Sequence, residues 1–139
     1  MKSRWKRNLL IVCISVIIIV LAGLAAGWLF TEKEHREARN VQIAEVDFKQ
    51  LHAGDYIGEY AGGMYKWRAN KVQVTVTAQK VTAIKLLEHS KNQPDTSAEE
   101  LFSRVIRAQS LQVDSISGAS LTSKAYLKAI EDALDQAQR

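Results

Sequence analysis

Cysteine is nearly missing from this sequence: the one thiol, Cys13, lies inside an apolar run, so the remainder can form no disulfide, thiolate zinc site or thiol nucleophile. An excess of one charge is missing too. Lys2, Arg4, Lys6 and Arg7 account for the whole formal charge of +4, which leaves residues 31–139 formally neutral. The pI near 9.3 therefore reflects a basic lead beside an apolar run, and no nucleic-acid partner is expected. There is no G-x-G-x-x-G fingerprint and no G-x-S-x-G elbow. The three histidines, His35, His52 and His89, are too scattered to form a metal set, so no metal is expected. Internal repeats and low-complexity tracts are absent as well.

What is present begins with Leu9–Phe30, an uncharged run of 22 residues that spans about 33 Å as a helix, close to the thickness of a bilayer core. Four cations precede it and a balanced segment, Thr31-Glu-Lys-Glu-His-Arg-Glu37, follows it. The positive-inside rule then keeps residues 1–8 cytoplasmic and places everything after Phe30 outside the cytoplasm. Gly23 and Ala25 offer small residues for a signal-peptide cut, but the run continues through Trp28-Leu29-Phe30, which favours an uncleaved anchor. Val12 is too bulky, and the stretch before Cys13 too short, for a lipoprotein signal. Gly23 and Gly27 have the spacing that lets two helices approach, which suits a weak homodimer.

Residues 31–50 read as a charged spacer with helical pairs Glu32/Arg36 and Lys33/Glu37, then apolar residues at near-helical period over Val41–Leu51. A folded domain is expected over 51–139. Tyr56–Tyr60, Tyr65–Thr77 and Val81–Glu88 read as strands, with Val72, Val74 and Val76 alternating against polar residues. Ala78-Gln79-Lys80 connects the last two without a glycine or asparagine. Ser97-Ala-Glu-Glu100 has capping-box spacing before a helix to about Gln109, and a second helix carries a stripe from Ala125 to Ala137. The class is α+β: a small antiparallel sheet packed by two helices, preceded by one N-terminal transmembrane helix.

Between those helices runs Asp114-Ser-Ile-Ser117-Gly118-Ala119-Ser120-Leu121-Thr122-Ser123. Small residues let backbone approach a ligand, and the free N–H groups of the first helical turn favour an anion. An ordinary helix start, with Ser117 or Ser120 capping its own backbone, has the same composition. The order Asp-x-x-Ser-Gly-Ala-Ser-x-Thr, however, resembles the flavinylation motif of the FMN-binding domain family. That family includes peripheral flavin subunits, C and G, of the sodium-translocating NADH:quinone reductase and Rnf complexes, and small membrane-anchored flavoproteins. The resemblance extends over about 51–138, through Gly54-Asp-Tyr-Ile-Gly58, the hairpin ending in Leu-Glu-His89, and Ala108–Asp114.

The resemblance implies FMN joined through a phosphoester to Thr122, with Asp114, Ser117, Gly118, Ala119 and Ser120 shaping the loop and backbone N–H groups of Leu121 to Ser123 around the phosphate. Ser120 stands where many members have threonine. The resemblance further implies a Mg²⁺-dependent FAD:protein FMN transferase as partner, and an electron carrier between a membrane donor and an extracytoplasmic acceptor, with no catalytic residue of its own. Tyr56, Tyr60, Tyr65 and Trp67 are candidates for stacking on the flavin ring or for sheet packing. His89 matches a family histidine that would lie near the flavin edge. Three other readings stand beside this one: FMN bound without the covalent link, an anchored module that binds a ligand or protein without redox turnover, and a hydrolase using Ser117 or Ser120 with His89.

Overall fold

The computed structural model describes residues 2–63, 66–90 and 96–139. The apolar run forms part of one helix, α1 (Lys2–Asn40), which also takes in residues 31–40 of the charged spacer. From Leu9 to Phe30 its large apolar side chains are exposed, and the helix is long and apolar enough to cross a membrane. Backbone contacts divide the chain at His35/Arg36, and residues 36–139 make the second compact unit.

The second unit is α+β. Three strands, β1 (Gly54–Tyr60), β2 (Asn70–Thr77) and β3 (Lys80–His89), form an antiparallel sheet in the order β1-β2-β3. Two helices, α2 (Thr96–Ala108) and α3 (Ser120–Gln138), pack with it. Alternation sorts the side chains as the strand period requires: Val72, Val74 and Val76 are buried, while Gln73 and Thr75 point to the wetter face. On that face Thr75 Oγ1 donates to Asp55 at 2.6 Å, and Lys71 Nζ meets Glu59 at 2.9 Å and Glu88 at 3.8 Å. Against the inner face lie Leu101, Phe102 and Val105 of α2 and Tyr126, Ile130 and Leu134 of α3, with Phe102 and Tyr126 edge to face at 5.7 Å.

Three readings of the sequence change. Residues 41–47 are not helical, and only Phe48–Gln50 forms a 3₁₀ turn. The reason is tertiary: Lys124 Nζ donates to Arg39 O at 2.8 Å, Lys128 Nζ to Gln42 O at 3.3 Å, and Ala44 N–H to Glu131 at 3.0 Å. Strand β2 starts at Asn70, because residues 66–68 form a turn with Lys66 at φ 55°. Ser97 lies within α2, which starts at Thr96, so it does not cap the helix. The end of α2 at Ala108 agrees with the sequence reading; Gln109, at φ 48°, turns its amide onto β3, giving Nε2–H to Val81 O at 2.8 Å and taking Val81 N–H at 2.9 Å. The opposite edge of the sheet is met similarly, Glu59 N–H by Asp132 and Ile57 O by Gln136.

Candidate functional site

The segment that carries the motif is held at both ends. Arg104 of α2 reaches across to donate to the carbonyls of Asp114 at 2.9 Å and Ser115 at 3.3 Å, while its other nitrogen pairs with Glu100. At the far end, Ser123 is buried; its hydroxyl accepts Ile116 N–H at 3.1 Å and its own N–H goes to Ala119 O at 2.8 Å. Ser123 therefore shapes the loop. Its backbone N–H is already bonded, which corrects the expectation that it lies among the phosphate donors.

Between these anchors the chain makes a tight turn closed by Ala119 N–H to Ile116 O at 2.9 Å, with Gly118 at φ +77°. A Cβ on Gly118 would meet nothing within 4 Å, so the glycine answers to backbone conformation and not to crowding. Helix α3 starts immediately afterwards behind Ala119, which has no side chain to cap it. The N–H groups of Ser120, Leu121 and Thr122 thus open the helix without a side-chain cap from the N-cap residue, at its positive end. Ser117, Gly118 and Ser120 are exposed, Thr122 and Leu121 are half-buried, and Asp114 is exposed. The local arrangement is a helix start with open N–H groups and a hydroxyl inside it, a geometry whose chemistry suits an anion.

One turn further along α3, the Ala125 carbonyl accepts from Asn70 Nδ2 at 3.1 Å. This bond ties the motif's helix to the end of the sheet, where Tyr60, Asn70 and His89 stand in register on neighbouring strands. A cleft of about 540 Å³ opens there, lined by Tyr60, Lys66, Asn70, Lys71, His89 and Ser90 among others. The structure thus brings Tyr60 and His89 together. The His89 Nδ1 lies 3.0 Å from Ser90 O, an acceptor, so Nδ1 carries the proton in that contact. Asn70 is buried, and its Oδ1 has no hydrogen-bond partner among the described residues.

Other expected residues lie elsewhere. Tyr56 sits opposite Val74 and donates its hydroxyl to His52 O at 3.1 Å, which places it away from that cleft. Trp67 is 39% exposed on the turn before β2, and Tyr65 lies outside the described residues. Gly62 is required where it stands: at φ +83°, a Cβ would lie 2.4 Å from Ala69 N. Asp114 and Ser115 border a separate cleft of about 630 Å³, whose other wall includes Val41, Ile43 and Lys124. Among the described residues no group of three or more His, Cys, Asp or Glu side chains is placed to hold a metal. Sequence reasoning missed Arg104 and Asn70, since an arginine on an exposed helix face and an asparagine at a strand start carry no signal until the fold is known.

A family model described as an FMN-binding domain matches residues 66–135, half of the chain, from the turn before β2 through most of α3. No curated protein matches. Among solved structures, the crystal structure of the CPE2226 protein from Clostridium perfringens is similar, with 24% identity and a TM-score of 0.51. The likeness covers 63% of this chain and 89% of that one, and it speaks for the α+β fold.

Proposed function

The chain belongs to the FMN-binding domain family, and from that premise we propose that it is a membrane-anchored electron carrier holding FMN through a phosphoester to Thr122. The observation that carries the reading is the uncapped start of α3, with the Thr122 hydroxyl inside it, directly after Asp114-x-x-Ser-Gly-Ala-Ser-x-Thr and within the matched residues. The residues present suit the group. The N–H groups of Ser120, Leu121 and Thr122 and the positive end of the helix would hold the phosphate. Gly118 gives the turn that exposes them, and Arg104 and Ser123 fix its two ends. Tyr60 and His89 border a cleft of cofactor size, and beside it Asn70 Oδ1 is a buried acceptor without a partner among the described residues.

Thr122 would acquire the group from FAD on a separate Mg²⁺-dependent transferase: its Oγ1 forms a bond to the FMN phosphorus, the bond to AMP breaks, and the hydroxyl proton leaves with AMP. The bound flavin supplies one- and two-electron redox chemistry. The protein's part is to hold the phosphate, border the ring and keep the carrier at the membrane. The apolar stretch of α1 supports an uncleaved anchor, and the four cations before it support a cytoplasmic N-terminus with the domain outside. The redox partners are then a membrane donor and an extracytoplasmic acceptor. Attachment makes physical sense outside the cytoplasm, where a dissociated cofactor would be lost by dilution.

The test is in-gel flavin fluorescence of the denatured chain made with the transferase, beside Thr122→Ala. Fluorescence in the wild type that is absent from the variant supports the reading. Yellow colour lost on denaturation means FMN held without the ester, and a colourless native chain leaves an anchored binding module.

A further inference from the structure

We propose that the side-chain carbonyl of Asn70 accepts a hydrogen bond from the bound flavin, given by the ring imide N–H or by a ribityl hydroxyl. The inference rests on the flavin reading above and adds to it a residue outside the motif.

Asn70 is 5% exposed and opens β2, in register with Tyr60 on one side and His89 on the other. Its Nδ2 donates to Arg68 O at 3.0 Å and to Ala125 O at 3.1 Å. Both partners are carbonyls, which only accept, so the amide orientation is settled: reversing it would set Oδ1 against two oxygens. The orientation leaves Oδ1 buried with no partner among the described residues. Buried amides in native proteins rarely leave the oxygen unbonded, and an exception calls for an explanation such as an unfilled ligand contact. Here the explanation is local. Asn70 lines the cleft at the sheet end, and the helix carbonyl it holds belongs to Ala125, one turn beyond Thr122. A group tethered at Thr122 that reached this end of the sheet and displaced the atoms now covering Oδ1 would meet this acceptor, and flavin carries donors at the imide edge and along the ribityl chain.

A purely structural role predicts something different. If Asn70 served only to join Arg68 and Ala125, its donors would do the whole task in loaded and unloaded protein alike, and the oxygen would be indifferent to flavin.

The experiment uses the full chain in detergent, made with the transferase (loaded) and without it (unloaded). In the wild type, the Asn70 side-chain ¹³Cγ resonance is expected to move downfield on loading, as a carbonyl does when it gains a hydrogen bond. Flavin labelled with ¹⁵N at the imide identifies the donor: a protected imide proton points to the ring, and an exchanging one to the ribityl chain. As a second measurement, the gain in thermal midpoint on loading is compared between wild type and Asn70→Leu, with Asn70→Ser as the alternative if leucine prevents folding. The variant is expected to lose about 4–8 °C of that gain, the value of one hydrogen bond in a domain of this size. An unmoved Asn70 resonance in loaded wild type, or an equal gain in wild type and variant, overturns the inference alone. A wild-type chain that takes up no flavin in the presence of the transferase overturns the flavin reading, and this inference with it.

Discussion

Gly58 sets how closely α3 approaches β1. A Cβ there would fall 1.9 Å from Ala129 O and 2.6 Å from Ala133 N, backbone atoms that no side-chain rotation can move. Gly58→Ala is therefore expected to cost about 3 kcal/mol or more in urea unfolding, at the upper end of overpacking penalties. Gly118→Ala, strained by its φ alone, should cost only about 1–2 kcal/mol with the fold intact. The β2–β3 turn makes the opposite case. Ala78 at φ 52° and Gln79 at φ 61° are both left-handed, a type I′ turn built without glycine or asparagine. Replacing the pair by Asn-Gly should stabilise the domain by about 1 kcal/mol in the same assay. The hairpin itself was legible in the alternation of Val72, Val74 and Val76, whereas its turn was not, because the residues there are poor formers of the conformation they adopt. Lys71 is held above the ordinary lysine range, first by its hydrogen bond to Glu59 and then by the charges of Glu59 and Glu88. A base whose folded pKa is raised contributes fully below its unfolded pKa and loses that contribution as pH climbs through the folded value. The difference in urea midpoint between wild type and Lys71→Met should therefore stay flat over about pH 6–9 and shrink above about pH 10.

At the scale of elements, α3 organises the domain. Its alanine stripe and Tyr126 face the core, Asp132 and Gln136 meet the outer edge of β1, and Lys124, Lys128 and Glu131 grip the backbone between Arg39 and Ala44. The stripe was readable from its spacing, as were the three strands, because burial on one face imposes a period. The grip was not readable: Val41–Leu51 has a helical spacing of apolar residues, but bonds from α3 claim its backbone groups. The same limit applies to Gln109, whose polar side chain serves as a missing strand neighbour for Val81. Of the candidate site, the motif order and the helix start were visible in sequence, while Arg104, Asn70 and the inward turn of Ser123 emerge only when distant segments meet. If Glu131 holds the segment as described, Glu131→Ala should let the Ala44 amide exchange roughly tenfold faster, with β2 amides unchanged.

For the whole molecule, the proposed carrier has an apolar helix in the membrane and its flavin-binding unit on the outer side. Because Cys13 is the sole native thiol, topology can be read directly. In a Cys13→Ala chain carrying Lys49→Cys, at an exposed position, a membrane-impermeant thiol reagent applied to intact cells should label the domain. Labelling only after lysis would place the domain inside. The central claim, however, is the covalent carrier, and the intact mass of the chain made with the transferase tests it most directly. A covalent carrier gains one FMN less one water, mapped to the peptide bearing Thr122 and absent from Thr122→Ala. An unchanged wild-type mass, or the same gain surviving in Thr122→Ala, would contradict it.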